Sequence, residues 1–197
     1  MSENIQNLVQ KIKDGDNVAF EKVFTLISRK LYLFMRKLSN NEELASDIVQ
    51  ETFLKVWKNR HQLNPDKSFN SYLFQIGINI YRERGRKILR NPQQFSIDNL
   101  EEKGHQVEDE REAHEEILYK REMINFIKNK IEEFPEQERA IFIMKKVNDF
   151  SYKEISEITN DSERTIRRKV KKTIDTIVDA MEAKGYQKEG ITLWALI

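Results

Sequence analysis

Several arginine and lysine side chains recur at regular intervals near the C-terminal end of the sequence. In residues 163–182, isoleucine and valine recur at helical spacing: Ile166, Val170, Ile174 and Ile177. The opposite side of the same helix then carries a basic face: Arg164, Arg168, Lys171 and Lys172. Such cations attract DNA phosphates, and arginine can also donate two hydrogen bonds to a guanine edge. A basic helix surface that only faces water is the alternative explanation.

The residues just before this helix favour the DNA-binding explanation. Residues 151–159, SYKEISEIT, predict a short helix with a capping box formed by Ser151 and Glu154, and Ser162 is an N-cap for the next helix. Only the three residues 160–162 separate the two helices, so they must meet at a steep angle, as in a helix-turn-helix. In that motif the second helix lies in the major groove. We therefore predict that the basic face contacts duplex DNA.

A second set of side chains suits single-stranded nucleic acid. Aromatic rings in residues 66–87 are interleaved with amides and followed by cations: Phe69, Tyr72, Phe74, Tyr81; Asn70, Gln75, Asn79; Arg82, Arg84, Arg86 and Lys87. Rings and amides can hold unstacked bases while cations follow the phosphates. Core packing is the competing explanation, and we assign it to four positions: Leu73, Phe74, Ile76 and Ile80. Phe69, Asn70 and Tyr72 are expected at the surface.

A third set lies on the helix predicted from ELASDIVQETFLKVWKNR, residues 43–60. One side of this helix is apolar and is expected to be buried: Ala45, Val49, Phe53 and Val56. The other side carries what we call the acidic face: Asp47, Gln50, Glu51 and Leu54. An apolar Leu54 among polar residues suggests a docking surface, but a solvated surface explains Asp47 and Glu51 equally well.

The elements that must position these sets are helices in two small units. The 197 residues include only six glycines and three prolines, and apolar residues recur mainly at helical spacing, so we predict an all-α chain. We divide it into residues 1–92, an acidic linker at 93–114, residues 115–182 with the helix-turn-helix, and a C-terminal tail at 183–197 of unknown role. Asp16 and Pro135 are expected to begin helices.

Composition argues against several classes of function. No cysteine is present, His61, His105 and His114 have no metal-ligand spacing, and no glycine-rich phosphate loop or nucleophile elbow appears. We expect no enzyme activity, metal or cofactor. The net charge of +1 conceals the segregated acidic linker and basic helix. With no signal peptide or membrane span visible, a cytoplasmic protein without membrane insertion is expected.

Four segments in order resemble bacterial RNA polymerase sigma factors of the extracytoplasmic-function class: DIVQETFLKVWKNR, SFNSYLFQIGIN, FPEQERAIF and FSYKEISEITNDSERTIRRKV. The resemblance extends from about Asp14 to Met181. It implies that residues 1–92 are sigma region 2, a helical bundle, and that residues 115–182 are sigma region 4. It also implies that the chain binds core RNA polymerase and directs it to promoters, and that an anti-sigma factor is a partner.

The resemblance also assigns roles to particular positions. The acidic face matches the surface that docks on the largest polymerase subunit. The positions implied for binding the melted minus-ten promoter element are Lys67, Ser68, Phe69, Asn70, Tyr72, Asn79, Arg82 and Arg86. Those implied for the duplex minus-thirty-five element are Ser162, Arg164, Thr165, Arg167, Arg168, Lys171 and Lys172.

Some positions depart from the family pattern. The family usually has Trp, Arg and Ala where Tyr72, Gln75 and Gly77 stand, so the promoter sequence does not follow from the resemblance. The alternative function is a stand-alone helix-turn-helix regulator whose N-terminal unit binds another protein. The DIVQETF helix discriminates between them, because it needs a polymerase partner only in a sigma factor.

Overall fold

The computed structural model describes the backbone of residues 4–90 and 111–186. These residues form eight α-helices and no β-strand, which confirms the predicted all-α class. The N-terminal unit contains α1 (Ile5–Lys13), α2 (Asn17–Ser39), α3 (Glu42–Lys58), a short 3-10 turn (Arg60–Gln62) and α4 (Phe69–Arg90). The C-terminal unit contains α5 (Arg111–Glu132), α6 (Glu136–Lys146), α7 (Tyr152–Thr159) and α8 (Glu163–Ala183). Residues 1–3, 91–110 and 187–197 lie outside the described part, and they include residues 93–110 of the predicted linker and most of the predicted tail. The last residues predicted as linker, 111–114, belong to α5.

The core of the N-terminal unit is built from the apolar sides of α1 to α4. The apolar positions predicted on α3 are buried: Ala45, Val49, Phe53 and Val56. Leu73, Phe74 and Ile80 on α4 are also buried, whereas Ile76 is only partly so. Helix α4 lies close to α2 at Gly77, where a Cβ atom would stand 2.7 Å from Cε of Met35. The glycine therefore permits a closer contact between these helices than alanine would.

Local capping chemistry sets several helix ends. The Asp16 carboxylate accepts hydrogen bonds from the backbone N–H groups of Val18 and Ala19 at 2.8 and 3.0 Å, so it caps α2 as expected. Ser151 and Glu154 form the predicted capping box of α7. Pro135 departs from the expectation by one residue. Its ψ of 140° is extended, so it is the N-cap of α6 and Glu136 is the first helical residue.

The helix-turn-helix forms as the sequence predicts. Helix α7 ends at Thr159, and Asn160 adopts a left-handed conformation with φ of 59°. Asparagine tolerates this conformation better than most residues, because its short polar side chain can bond locally. Ser162 then caps α8 by accepting a hydrogen bond from the backbone N–H of Thr165 at 3.2 Å. The turn therefore joins the two helices within three residues.

The two units pack against each other through α4 and α2 on one side and α6 and α7 on the other. The buried rings of Phe74 and Phe150 lie at the centre of this contact, with centroids 4.8 Å apart in an edge-to-face arrangement. The ammonium of Lys30 lies 4.4 Å from the centre of the Phe150 ring. At the edge, the hydroxyl of Ser71 donates a hydrogen bond to Glu157 at 2.9 Å. A shared apolar core therefore joins the units in this conformation.

Candidate functional site

The basic face of α8 is exposed along its whole length. Arg164, Arg168, Lys171 and Lys172 are all exposed, while Ile166, Val170 and Ile177 on the opposite side are buried. This confirms the predicted orientation of the helix. Among the described residues, the side chains of Arg164, Arg168 and Lys171 have no recorded ion pair or hydrogen bond. Their charges are therefore available to a ligand.

Three other cations of α8 already have partners within the chain. Arg167 lies over the ring of Tyr152, 4.0 Å from its centre, and also approaches Glu163 at 3.5 Å. Lys169 forms a half-buried ion pair with Asp161 at 2.7 Å. Lys172 is 3.7 Å from a carboxylate oxygen of Glu138 on α6. The charges of these residues are thus partly compensated, a distinction that sequence position alone does not reveal.

The start of α4 differs from the expectation at one position. Phe69 was predicted at the surface, but only 5% of it is exposed, so that prediction is wrong. Its ring belongs to the main apolar core, and residues of α1 line the same cavity as Phe69 at the start of α4. Asn70 and Tyr72 are partly exposed and remain candidates for base contacts.

A cavity of about 180 Å³ lies between α1 and the chain leading into α4. Four of the predicted minus-ten positions line it, namely Lys67, Ser68, Phe69 and Asn70. The side-chain oxygen of Asn70 is buried without a hydrogen-bond partner, so it is an acceptor that a donor group could satisfy. Gln6 of α1 lines the same cavity and was not identified from the sequence. Its proximity to residues 67–70 depends on the fold, so no local sequence pattern reveals it.

Farther along α4, the predicted DNA-binding residues have different surroundings. Asn79 and Arg86 are exposed. Arg82 instead forms an ion pair across the two units, with its Nε 2.9 Å from a carboxylate oxygen of Glu136. In this conformation one of the predicted minus-ten residues is therefore bound to the C-terminal unit.

The acidic face of α3 is accessible to solvent, and its negative charges are partly balanced by a neighbouring arginine. Gln50 and Leu54 are exposed, with 58% of Leu54 accessible to solvent. Arg84 of α4 donates one hydrogen bond to Asp47 and another to Glu51, each at 3.0 Å. Arg84 was expected in a basic cluster, and its links to α3 depend on the fold.

The ion pairs affect the protonation of the acidic face. Burial alone would raise the pKa of the Glu51 carboxyl, but hydrogen bonds from Arg84 and Lys55 outweigh it, and the pKa lies below its ordinary value. Burial likewise opposes the charge of Arg84, yet the hydrogen bonds to Asp47 and Glu51 raise its pKa. Glu51 and Arg84 are therefore both charged at neutral pH.

An apolar groove adjoins the acidic face. It has a volume of about 430 Å³ and is lined by residues of α2 and α3: Asn17, Phe20, Phe24, Gln50, Phe53, Leu54 and Trp57. Phe24 is 40% exposed and Leu54 58% exposed, although both are large apolar side chains. Gln50 and Leu54 thus belong to both surfaces, and polar and apolar contacts are available side by side.

The described residues contain neither a metal site nor a membrane-spanning helix. No group of three or more histidine, aspartate or glutamate side chains among them is arranged to hold a metal ion. No helix among the described residues is long and apolar enough to cross a membrane.

Two family models match the chain, one in each unit. Sigma-70 region 2 matches residues 23–90, which include the acidic face and the predicted minus-ten positions. Sigma-70, region 4 matches residues 127–175, which include α7, the turn and the N-terminal part of α8. The order of the two matches is the order that the sequence predicts.

Similar proteins were found in several bacteria. The ECF RNA polymerase sigma factor SigW of Bacillus subtilis is 25% identical over 173 residues, which cover 84% of this chain and 90% of that protein. The ECF RNA polymerase sigma-E factor of Escherichia coli K12 is 24% identical over 176 residues, covering 86% of this chain and 91% of that protein.

Two solved structures share the fold. Sigma factor RpoE in complex with the anti-sigma factor NepR, from Bartonella quintana, has a TM-score of 0.62, 20% identity, and coverage of 83% of this chain and 96% of that one. CnrH in complex with the cytosolic domain of CnrY has a TM-score of 0.64, 17% identity, and coverage of 90% and 97%. With both sigma-70 regions matched and sigma factors as relatives along most of its length, this chain belongs to the extracytoplasmic-function class of RNA polymerase sigma factors.

Proposed function

We propose that this sigma factor docks on core RNA polymerase through the acidic face of α3, reads the minus-thirty-five element with α8 and holds the melted minus-ten strand with residues 66–86. Its role is to direct the polymerase to promoters at the start of transcription. The observation that carries the proposal is the basic face of α8. Its cations Arg164, Arg168 and Lys171 have no partner among the described residues and lie on the second helix of a helix-turn-helix. In that motif the second helix lies in the major groove of DNA, whose phosphates carry the opposite charge.

The minus-thirty-five assignment divides the cations of α8 by their partners. Arg164 and Arg168 lie in the N-terminal half of the helix and are free to donate to base edges, because recognition helices contact bases mainly with their N-terminal residues. Lys171 lies farther along and suits a phosphate. Arg167 is held over Tyr152, so its main contribution is to position α8 against α7.

The minus-ten assignment rests on the cavity beside α1. An extruded base needs a recess and at least one group that bonds to its edge. The buried oxygen of Asn70 is a hydrogen-bond acceptor without a partner, and such an acceptor favours a base that presents an amino group. Lys67 at the rim supplies a charge for the neighbouring phosphate. Phe69 contributes to the floor of this recess rather than to stacking at the surface.

The docking assignment rests on the combination of charge and apolar surface on α3. Asp47 and Gln50 are exposed polar groups, and the groove beside them exposes Phe24 and Leu54. Protein interfaces commonly combine an apolar centre with a polar rim. A solvated surface alone would not explain why large apolar side chains are left in contact with water next to these polar groups.

The role is one of binding. Sigma factors are initiation factors rather than enzymes, and the polymerase supplies the chemistry of RNA synthesis. The stand-alone regulator is not favoured, because the match to sigma-70 region 2 covers the helix that such a regulator would not need.

We extend two further properties to this chain from its family. Since one structural relative is described in complex with an anti-sigma factor, we propose that an anti-sigma factor also binds this chain. Because bacterial RNA polymerase works on DNA in the cytoplasm, we place this sigma factor there.

The docking proposal is tested by measuring the affinity of the labelled full-length chain for core polymerase. Asp47→Ala and Gln50→Ala should each weaken binding by about 1 to 3 kcal/mol, because each removes a polar group from the interface. Asp179→Ala is the control, since Asp179 is an exposed carboxylate on the distant half of α8. Unchanged affinity in both α3 variants would mean that the acidic face is only a solvated surface and does not dock on the polymerase. Run-off transcription from a promoter library would then test the wider role independently.

A further inference from the structure

One guanidinium group joins the acidic face to the neighbouring helix. Arg84 on α4 places Nη1 3.0 Å from Oδ2 of Asp47 and Nη2 3.0 Å from Oε2 of Glu51. The two carboxylates are four residues apart on α3, so they lie one above the other on the same side of that helix. The planar guanidinium therefore links two successive turns of α3 through two separate nitrogens. A lysine could not do the same, because its ammonium has only one nitrogen.

The geometry leaves part of each acidic side chain open to a partner. Arg84 uses one oxygen of each carboxylate, and the other oxygen of Asp47 has no recorded hydrogen bond among the described residues. The second oxygen of Glu51 is 3.1 Å from the ammonium of Lys55. Asp47 remains 53% exposed and Glu51 36% exposed at the side chain, so both can still be reached from outside.

Arg84 could affect binding in either of two opposite ways. As a competing cation it would neutralise the carboxylates and reduce their attraction for a basic partner. As a fixed support it would hold both carboxylates in one orientation, so that less side-chain freedom is lost when a partner binds. Charge competition at an exposed site is screened by salt, whereas the benefit of fixed orientation is not. Two links at 3.0 Å from one rigid group favour the second effect.

We propose that Arg84 is a positioning residue for core-polymerase binding, which orients the carboxylates of Asp47 and Glu51 without contacting the polymerase itself. This inference rests on the proposed docking role of the acidic face. It also removes Arg84 from the basic cluster of α4 that faces DNA, because its guanidinium is already occupied by two carboxylates. The neighbouring Arg86 stays exposed for that task.

The test compares the affinity of full-length variants for core polymerase at ionic strengths of about 0.15 and 0.5 M. Arg84→Ala should weaken binding on the order of tenfold at both, from the freedom regained by two side chains. Arg84→Lys should lie between that variant and the unsubstituted chain, because an ammonium restores the charge without the fork. Arg29→Ala should have no effect, since Arg29 is an exposed arginine on α2 away from the acidic face.

A second comparison separates support from direct contact. In a chain that already carries Asp47→Ala and Glu51→Ala, adding Arg84→Ala should change the affinity by less than about twofold, because nothing is left for Arg84 to orient. Equal losses with and without the carboxylates would mean that Arg84 touches the polymerase directly and would overturn the inference. Tighter binding of Arg84→Ala at low salt would also overturn it, by showing that Arg84 competes for the carboxylates.

Failure of the positioning role and failure of the docking proposal give different results. If Asp47→Ala and Gln50→Ala weaken binding while Arg84→Ala does not, the docking face stands and only the positioning role fails. If none of the three variants changes the affinity, the docking proposal fails as well. Binding of each variant holoenzyme to a single-stranded minus-ten oligonucleotide provides a further readout, and Arg84→Ala should leave it unchanged. A loss there that is absent from core binding would assign Arg84 to DNA and refute the inference.

Discussion

Arg168 and Lys172 should respond differently when each is replaced by alanine in the holoenzyme. Arg168 is exposed and has no recorded partner among the described residues, so it is free to form a bidentate pair with a base. Arg168→Ala should therefore cost about 1 to 3 kcal/mol and relax the preference at one base pair of the minus-thirty-five element. The effect should disappear on a duplex that already carries the wrong base at that position.

The expected effect of Lys172→Ala is smaller and independent of sequence. A free cation that neutralises one phosphate changes the slope of log affinity against log salt by about 0.9. Lys172, however, lies 3.7 Å from Glu138, and a unit charge pair at that distance in water is worth roughly 1 kcal/mol. Part of the gain from a phosphate contact is therefore offset by loss of this pair. Lys172→Ala should lower the salt slope by clearly less than Lys171→Ala, because no ion pair of Lys171 is recorded in the described chain.

The assay is fluorescence anisotropy of holoenzyme on a panel of point-substituted minus-thirty-five duplexes at several salt concentrations. Arg167→Ala is the matched control for Arg168→Ala, because its guanidinium is held over Tyr152 and should not select a base. If Arg168→Ala weakens every duplex by the same factor, Arg168 contacts only phosphate. If Lys171→Ala and Lys172→Ala lower the slope equally, the Glu138 pair has no influence and the reasoning from it is wrong.

Three further outcomes are expected. Because Arg84 favours the charged form of Glu51, the free energy of unfolding of the unsubstituted chain should exceed that of Glu51→Gln. The difference should be full above the unfolded pKa of about 4.3 and disappear as pH falls through the lower folded pKa. Urea unfolding from pH 7 to 3 measures it, and a difference that stays constant with pH would contradict this. Phe150→Ala removes the ring that packs on Phe74, so small-angle scattering of the free chain should show a larger radius of gyration, and an unchanged radius would count against this contact holding the units together. Ser151→Ala should destabilise the chain by about 1 kcal/mol in chemical denaturation through loss of the α7 cap, and no loss would show that the cap is redundant.

Features that depend on neighbours in the chain could be predicted from the sequence. The caps at Asp16, Ser151 and Ser162 each involve a side chain and a backbone N–H two or three residues away, so local residue types are enough. The buried and exposed sides of α3 and α8 follow from helical periodicity in the same way.

Features that join distant segments could not be predicted in this way. Phe69 has the residue type of a base-stacking ring, but it is buried in the core near α1, and no local pattern reveals that arrangement. Arg84 lies among other arginines, while its partners are 33 and 37 positions earlier in the chain. Phe74 was correctly assigned to a core, yet the ring that it meets, Phe150, belongs to the other unit.

The ion pair between Arg82 and Glu136 makes promoter binding and domain packing alternative uses of one guanidinium. If Arg82 contacts the melted strand as proposed, its Nε cannot also remain 2.9 Å from Glu136. The packed arrangement then acts as an internal competitor for DNA, present at a fixed effective concentration whatever the amount of protein. The apparent dissociation constant of the free chain for the minus-ten strand equals the intrinsic one divided by the open fraction, so a preference of about 1.4 kcal/mol for packing costs roughly tenfold in affinity. In the packed arrangement the unbound chain is then a poor reader of the minus-ten strand, without any separate inhibitor.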